Sequence, residues 1–84
     1  MTRYTVVWLA SAQDELADEW IRATNRNAVT VAVHAIDKEL ADDAPSKGVE
    51  LGEGLRAFFS PPIRILYAVR EEDRVVEVLR VRRL

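Results

Sequence analysis

The residues best equipped for chemistry lie between Ile63 and Leu84, where Arg64, Arg70, Arg74, Arg80, Arg82 and Arg83 are set among aliphatic side chains. A guanidinium stays protonated at physiological pH and presents its donors in a planar fork. It therefore grips phosphates and carboxylates well and accepts a proton poorly. The stretch reads as two strands, IRILYAV and RVVEVLRVRRL, joined by the acidic turn REED. Successive strand residues point to opposite faces. Val76, Val78, Arg80 and Arg82 are thus expected on one face, and Val75, Glu77, Leu79, Val81 and Arg83 on the other. Arg80, Arg82 and Arg83, at the end of an apolar strand, make a positive contact surface on a rigid support. Arg70 and Arg74 flank Glu71, Glu72 and Asp73 and read as solvated turn charges. Arg64 is either part of the surface or the ion-pair partner of Glu77 on the adjoining strand.

Other chemistries are poorly supplied. The chain has no cysteine, hence no disulfide framework and no thiolate metal site. Its single histidine, His34, sits beside Thr30, Asp37 and Lys38, off the apolar stripe of its helix, and reads as a surface residue. Asp42, Asp43, Glu50 and Glu53 lack the spacing of a calcium loop. No glycine-rich phosphate loop, zinc ligand set or nucleophile triad occurs. Neither a metal nor an organic cofactor is expected. The formal net charge is −2, but residues 1–50 carry −4 and residues 51–84 carry +2. Only the C-terminal third could face a polyanion, and the overall charge opposes a large nucleic-acid footprint. The cysteine-free composition, and a start that is neither a signal peptide nor an apolar span, suit a cytoplasmic protein.

The elements that must position these arginines follow from periodicity. At 84 residues the chain is one domain, 1–84. Tyr4 to Leu9 is rich in β-branched and aromatic residues and reads as a strand. Ser11 with Asp14 resembles a capping box, opening a helix with Ala12, Leu16, Trp20 and Thr24 on one side. Asn25 or Asn27 caps a second helix, 28–41, with Val29, Ala32, Val33, Ile36 and Leu40 at helical spacing. Trp20 and Ile36 are expected in the core. So short a link makes the helices an antiparallel hairpin. Residues 42–54 read as a loop, and Leu55 to Ser60 as a strand stopped by Pro61 and Pro62. Ile63, Ile65, Tyr67 and Val69 give the next strand its apolar face, with Tyr67 a core residue. The sum is an α+β domain: an N-terminal strand, a two-helix hairpin, then a three-stranded antiparallel meander in one sheet with the helices on one face.

This order resembles the RelE/ParE superfamily of toxins from bacterial type II toxin–antitoxin modules, of plasmid-stabilisation type. The likeness rests on Trp8-Leu9 ending the first strand, Ser11 to Leu16 opening the helix, and Ala35-Ile36 and Leu40 in the second. Pro45, Gly48, Leu51 and Gly52 follow, then Ile63-Arg64-Ile65-Leu66-Tyr67, a charged turn and an arginine-rich last strand. The resemblance implies a growth-inhibiting protein neutralised by a cognate antitoxin protein. It also implies a target: DNA gyrase for ParE-like members, ribosome-bound mRNA cut in the decoding site for RelE-like ones. Arg64 matches the superfamily's central arginine, Arg82 or Arg83 that of the last strand, and Arg56 a basic position on the strand before. These four are the candidate catalytic residues; Arg64, Arg80, Arg82 and Arg83 form the candidate contact surface. Strand 55–60 has no lysine and no tyrosine follows Arg83, so the general-base role of a nuclease lacks an occupant. The sequence therefore favours a gyrase-binding toxin without a catalytic centre. The alternatives are a ribosome-dependent mRNA endonuclease and a decayed member that survives as a pairing partner. Trp8, if it lies on the outer face of the sheet, would mark a homodimer or antitoxin patch.

Overall fold

In the computed structural model, which describes residues 3–84, the apolar runs form a five-stranded sheet backed by two helices. The strands are β1 (Thr5–Trp8), β2 (Val49–Gly52), β3 (Leu55–Ser60), β4 (Ile63–Arg70) and β5 (Val75–Arg83). The helices are α1 (Ala10–Arg22) and α2 (Arg26–Asp43), followed by one turn of 3-10 helix at Ala44–Ser46. The sheet order is β1-β5-β4-β3-β2, with β1 parallel to β5 and every other pair antiparallel. The last strand made is thus an inner strand, held between the first strand and β4.

The core follows the alternation of the strands. Ile63, Ile65 and Tyr67 of β4 and Val76, Val78 and Val81 of β5 point inward and meet Ile36, Leu40, Ala32 and Ala12 of the helices. α2 buries Val29, Ala32, Ile36 and Leu40, the expected stripe. Asn25 caps it by accepting the Ala28 N–H at 3.1 Å. α1 starts two residues earlier than the Ser11 signal suggests, with Leu9 at its N-cap and no side-chain cap. Ser11 Oγ instead donates to the Leu79 carbonyl at 3.3 Å, and Gln13 donates to the Trp8 carbonyl at 2.8 Å. The pull of a packed sheet edge outweighs the local capping preference.

Three expectations need correction. Residues 42–54 are not all loop: Asp42 and Asp43 complete α2, and Val49–Gly52 forms β2, so four strands follow the helices rather than three. β2 is exposed along its length; with no buried face, it has no alternation to reveal it. Trp20 is 42 % exposed and not in the core. Its ring lies under the Arg26 guanidinium at 4.7 Å, while Arg26 donates to the carbonyls of Trp20 and Ile21 at the end of α1. Trp8 packs against the core on the helical side of the sheet and donates from Nε1 to Asp37 Oδ1 at 2.8 Å. It does not stand on the outer face.

Tyr67 carries the junction between α2 and the sheet. Its buried hydroxyl lies 2.7 Å from the Lys47 carbonyl oxygen and 3.0 Å from that of Ala44. Arg56 Nε donates to the same Lys47 oxygen at 2.7 Å. Beside them Gly48 takes a φ of +67°, and any Cβ there would collide with the Ala57 carbonyl. Tyr67→Phe removes this hydroxyl's buried hydrogen bond, while the Arg56 side chain still serves the Lys47 carbonyl and the Lys47 N–H that of Ala44, so urea denaturation should record a loss of about 0.5–1.5 kcal/mol with the fold retained.

Candidate functional site

The sheet's second face, away from the helices, carries the arginines. At the Ser60 end of β3 the pairing with β4 and β5 sets Phe59, Arg64 and Arg82 in one cross-strand row and Ala57, Leu66 and Arg80 in the next. Around them lies an open pocket of about 250 Å³, lined by Arg64, Arg80 and Arg82 with Leu51, Ala57 and Leu66. Phe59 is 50 % exposed beside Arg64. A half-exposed aromatic next to three guanidinium groups offers stacking and phosphate contact on one rigid surface.

Arg80 and Arg82 reach this face because β5 changes phase. Leu66 pairs with Arg80 and Tyr67 with Val78, which leaves Leu79 as a bulge. Before it Val76 and Val78 face the core; after it Val81 does. Strict alternation would have put Arg80 and Arg82 beside Val76 and Val78, under the helices. The bulge turns them outward and returns an apolar residue to the core.

The candidate residues therefore divide. Arg64, Arg80 and Arg82 converge. Arg83 pairs across from Ile63 and turns toward the helices, where Nε meets Glu19 Oε1 at 3.2 Å. Arg56 pairs across from buried Tyr67, on the core side, and is occupied by the carbonyls of Lys47 and Gly48. Arg64 does not pair with Glu77; that carboxylate takes Arg70 Nε at 2.9 Å. Arg70 is thus ion-paired rather than freely solvated, while Arg74 lies 5.9 Å from the Tyr4 ring. Phe59 is the residue that sequence reasoning missed. Its signal was the outward parity of Phe59 against Arg64 across the Pro61-Pro62 turn.

Arg64 and Arg82 are like charges directly opposite one another, an unfavourable pairing in a sheet. Glu15 of α1 relieves it. One carboxylate oxygen takes Arg80 Nε at 2.9 Å and Arg82 Nη1 at 2.6 Å, and the other accepts the Val81 N–H at 2.8 Å. The hydrogen bond from Arg82, against the cost of partial burial and with help from Val81 and Arg80, holds the Glu15 carboxyl down to about 2 from its ordinary 4.5. Burial pushes the Tyr67 hydroxyl upward despite the nearby Arg56, so it stays neutral at physiological pH. Among the described residues no group of three His, Cys, Asp or Glu could hold a metal, and no helix is long and apolar enough to cross a membrane.

A second surface lies on the helical side. α1 and α2 diverge around a groove of about 660 Å³ lined by Trp8, Leu16, Trp20, Ile21, Val33 and their neighbours. Ile21, at 60 % exposure, stands at its rim. His34 also lines this groove and is exposed.

Comparison with known proteins gives a consistent picture. The family model described as the ParE toxin of the type II toxin–antitoxin system parDE matches residues 6–83. Among solved structures, a chain of the RelBE2 toxin–antitoxin complex of Mycobacterium tuberculosis is similar at 22 % identity, with a TM-score of 0.82 over 100 % of this chain and 94 % of that one. A chromosomal ParDE system of P. aeruginosa gives 18 % and 0.68, covering 98 % of this chain and 97 % of that one. The archaeal RelE–RelB complex of Pyrococcus horikoshii OT3 gives 15 % and 0.69, covering 99 % and 96 %. At these identities the likeness establishes the shared fold. Among curated proteins, none matches.

The low pKa of Glu15 has a measurable consequence. Folded chains bind fewer protons than unfolded ones between pH 4.5 and 2, so this contribution to stability is full above that window and is lost as pH falls through it. Acid titration followed by circular dichroism should give Glu15→Gln a shallower loss of stability across that window than the parent chain.

Proposed function

The chain belongs to the ParE toxin family of type II toxin–antitoxin systems, and we propose that it arrests growth by engaging messenger RNA on the ribosome. The observation that carries this reading is the cross-strand row Phe59–Arg64–Arg82, whose two arginines line one open pocket with Arg80. Arginines in a fixed plane bind phosphate oxygens in pairs, and an exposed phenyl ring stacks a base of any identity. Sequence alone favoured gyrase, because the general-base role of a nuclease had no occupant; Phe59, half-exposed beside Arg64, adds a stacking surface suited to RNA.

The chemistry such a face can supply is specific. Its guanidinium groups would hold the scissile phosphate in line with the neighbouring 2′-hydroxyl and stabilise the charge that builds in the transition state. No lysine, histidine or tyrosine lines the pocket, so the proton acceptor has to come from outside it. That gap, with the ParE character of the family model, favours a second reading, inhibition of DNA gyrase by binding.

Purified protein added to translating ribosomes should give cuts mapped to the decoding site. Arg64→Ala and Phe59→Ala should each lower that cleavage by one to two orders of magnitude, roughly the cost of a lost charge-stabilising contact, at unchanged melting temperature. Uncut message together with blocked supercoiling by gyrase would transfer the assignment to the second reading.

Its partner under this reading is a cognate antitoxin, whose apolar side chains would fill the groove between α1 and α2. The similar structures from M. tuberculosis and P. horikoshii are themselves toxin–antitoxin complexes. Ile21→Asp places a charge at the groove rim and should weaken antitoxin capture in titration calorimetry by about 1–3 kcal/mol. The same variant should inhibit translation as the parent chain does.

A further inference from the structure

Glu15 is used neither by the row that would bind RNA nor by the groove that would take an antitoxin. Yet it meets Arg80, Arg82 and the Val81 amide at once. Of the three cations lining the outer-face pocket, two are thus already partnered; Arg64 has no ion pair among the described residues. Arg82 Nη1 also donates to the Val81 carbonyl at 2.8 Å, so that nitrogen is fully engaged inside the molecule. The Nη atoms of Arg80 and Nη2 of Arg82 donate to no other described residue and keep their donors available.

We infer that Glu15 is a specificity-determining residue, a counter-anion that withholds Arg80 and Arg82 from polyanions in general. The face then retains only a ligand that also brings a phosphate to Arg64 and a base to Phe59. This rests on the reading of the face as a phosphate-contacting surface. Three unpartnered guanidinium groups side by side would collect any nucleic acid through counterion release. A shared carboxylate lowers that attraction without removing the arginines. It also fixes their side chains, so a correctly placed phosphate meets donors that need little reordering. Gln at position 15 retains an acceptor for the Val81 N–H, so the contact that secures β5 survives the loss of charge.

The test is binding of a short, labelled single-stranded RNA to the full chain, followed by fluorescence anisotropy over a salt titration without ribosomes. Glu15→Gln should bind roughly two- to five-fold tighter at low salt. The slope of log K against log salt should steepen by about 0.7 for each further phosphate contacted. Glu15→Asp keeps the charge but falls short of the arginines, and should gain affinity in the same direction. Glu19→Gln removes one negative charge at the Arg83 pair and should bind as the parent does. Adding Arg80→Ala and Arg82→Ala to Glu15→Gln should abolish the gain. Equal gains from Glu15→Gln and Glu19→Gln would reduce the effect to net charge and overturn the inference. So would no gain from Glu15→Asp, or no binding by any variant. Because message cleavage is scored separately on ribosomes, a failure here leaves the proposed target standing, and a failure there leaves this result interpretable.

Discussion

β5 has nine residues and β1 has four, and much of the molecule answers that mismatch. β1 covers β5 only as far as Val78. Beyond it the strand would run on with a bare edge, and an unpaired amide there would cost as much as a lost hydrogen bond. α1 closes the gap. Its Glu15 carboxylate substitutes for a strand carbonyl at Val81, while Ser11 takes the Leu79 carbonyl. The position of α1 is therefore set by the edge it has to cover. Its missing N-cap side chain is one result of that commitment.

The same mismatch explains how three arginines can stand together. A like-charge pair across β4 and β5 is tolerated because the carboxylate that completes the edge also neutralises the neighbouring guanidinium groups. Edge closure and charge neutralisation draw on a single side chain. The bulge at Leu79 adds the other half of the arrangement, since it sends Arg80 and Arg82 outward and leaves Val81 in the core. Without the phase change, two charges would lie under the helical layer, where burial is costly.

Much of this was legible in the residues. The alternation of Ile63, Ile65 and Tyr67 fixed the inner face of β4, and Val29, Ala32, Ile36 and Leu40 fixed that of α2. Periodicity could not reveal β2, an edge strand with both faces in solvent, nor the bulge, which leaves no mark in a run of alternating Val, Leu and Arg. Trp20 misled because helical spacing reports a shared side but not what covers it; here the cover is an arginine from the next helix. Arg56 matched a family position yet serves the backbone of the 44–48 connection. A residue type in the right place along the chain says little about which side of a sheet it will occupy when the register across the strands is unknown.

The parallel pairing of β1 with β5 joins segments about 70 positions apart. Neither the inner strand of the sheet nor the carboxylate clasp exists until β5 has been made. Nascent chains that have emitted only the helices and β2 to β4 lack both Arg80 and Arg82, and with them the arginine row as well as the inner strand. Closure of the sheet and completion of its outer face are one and the same event.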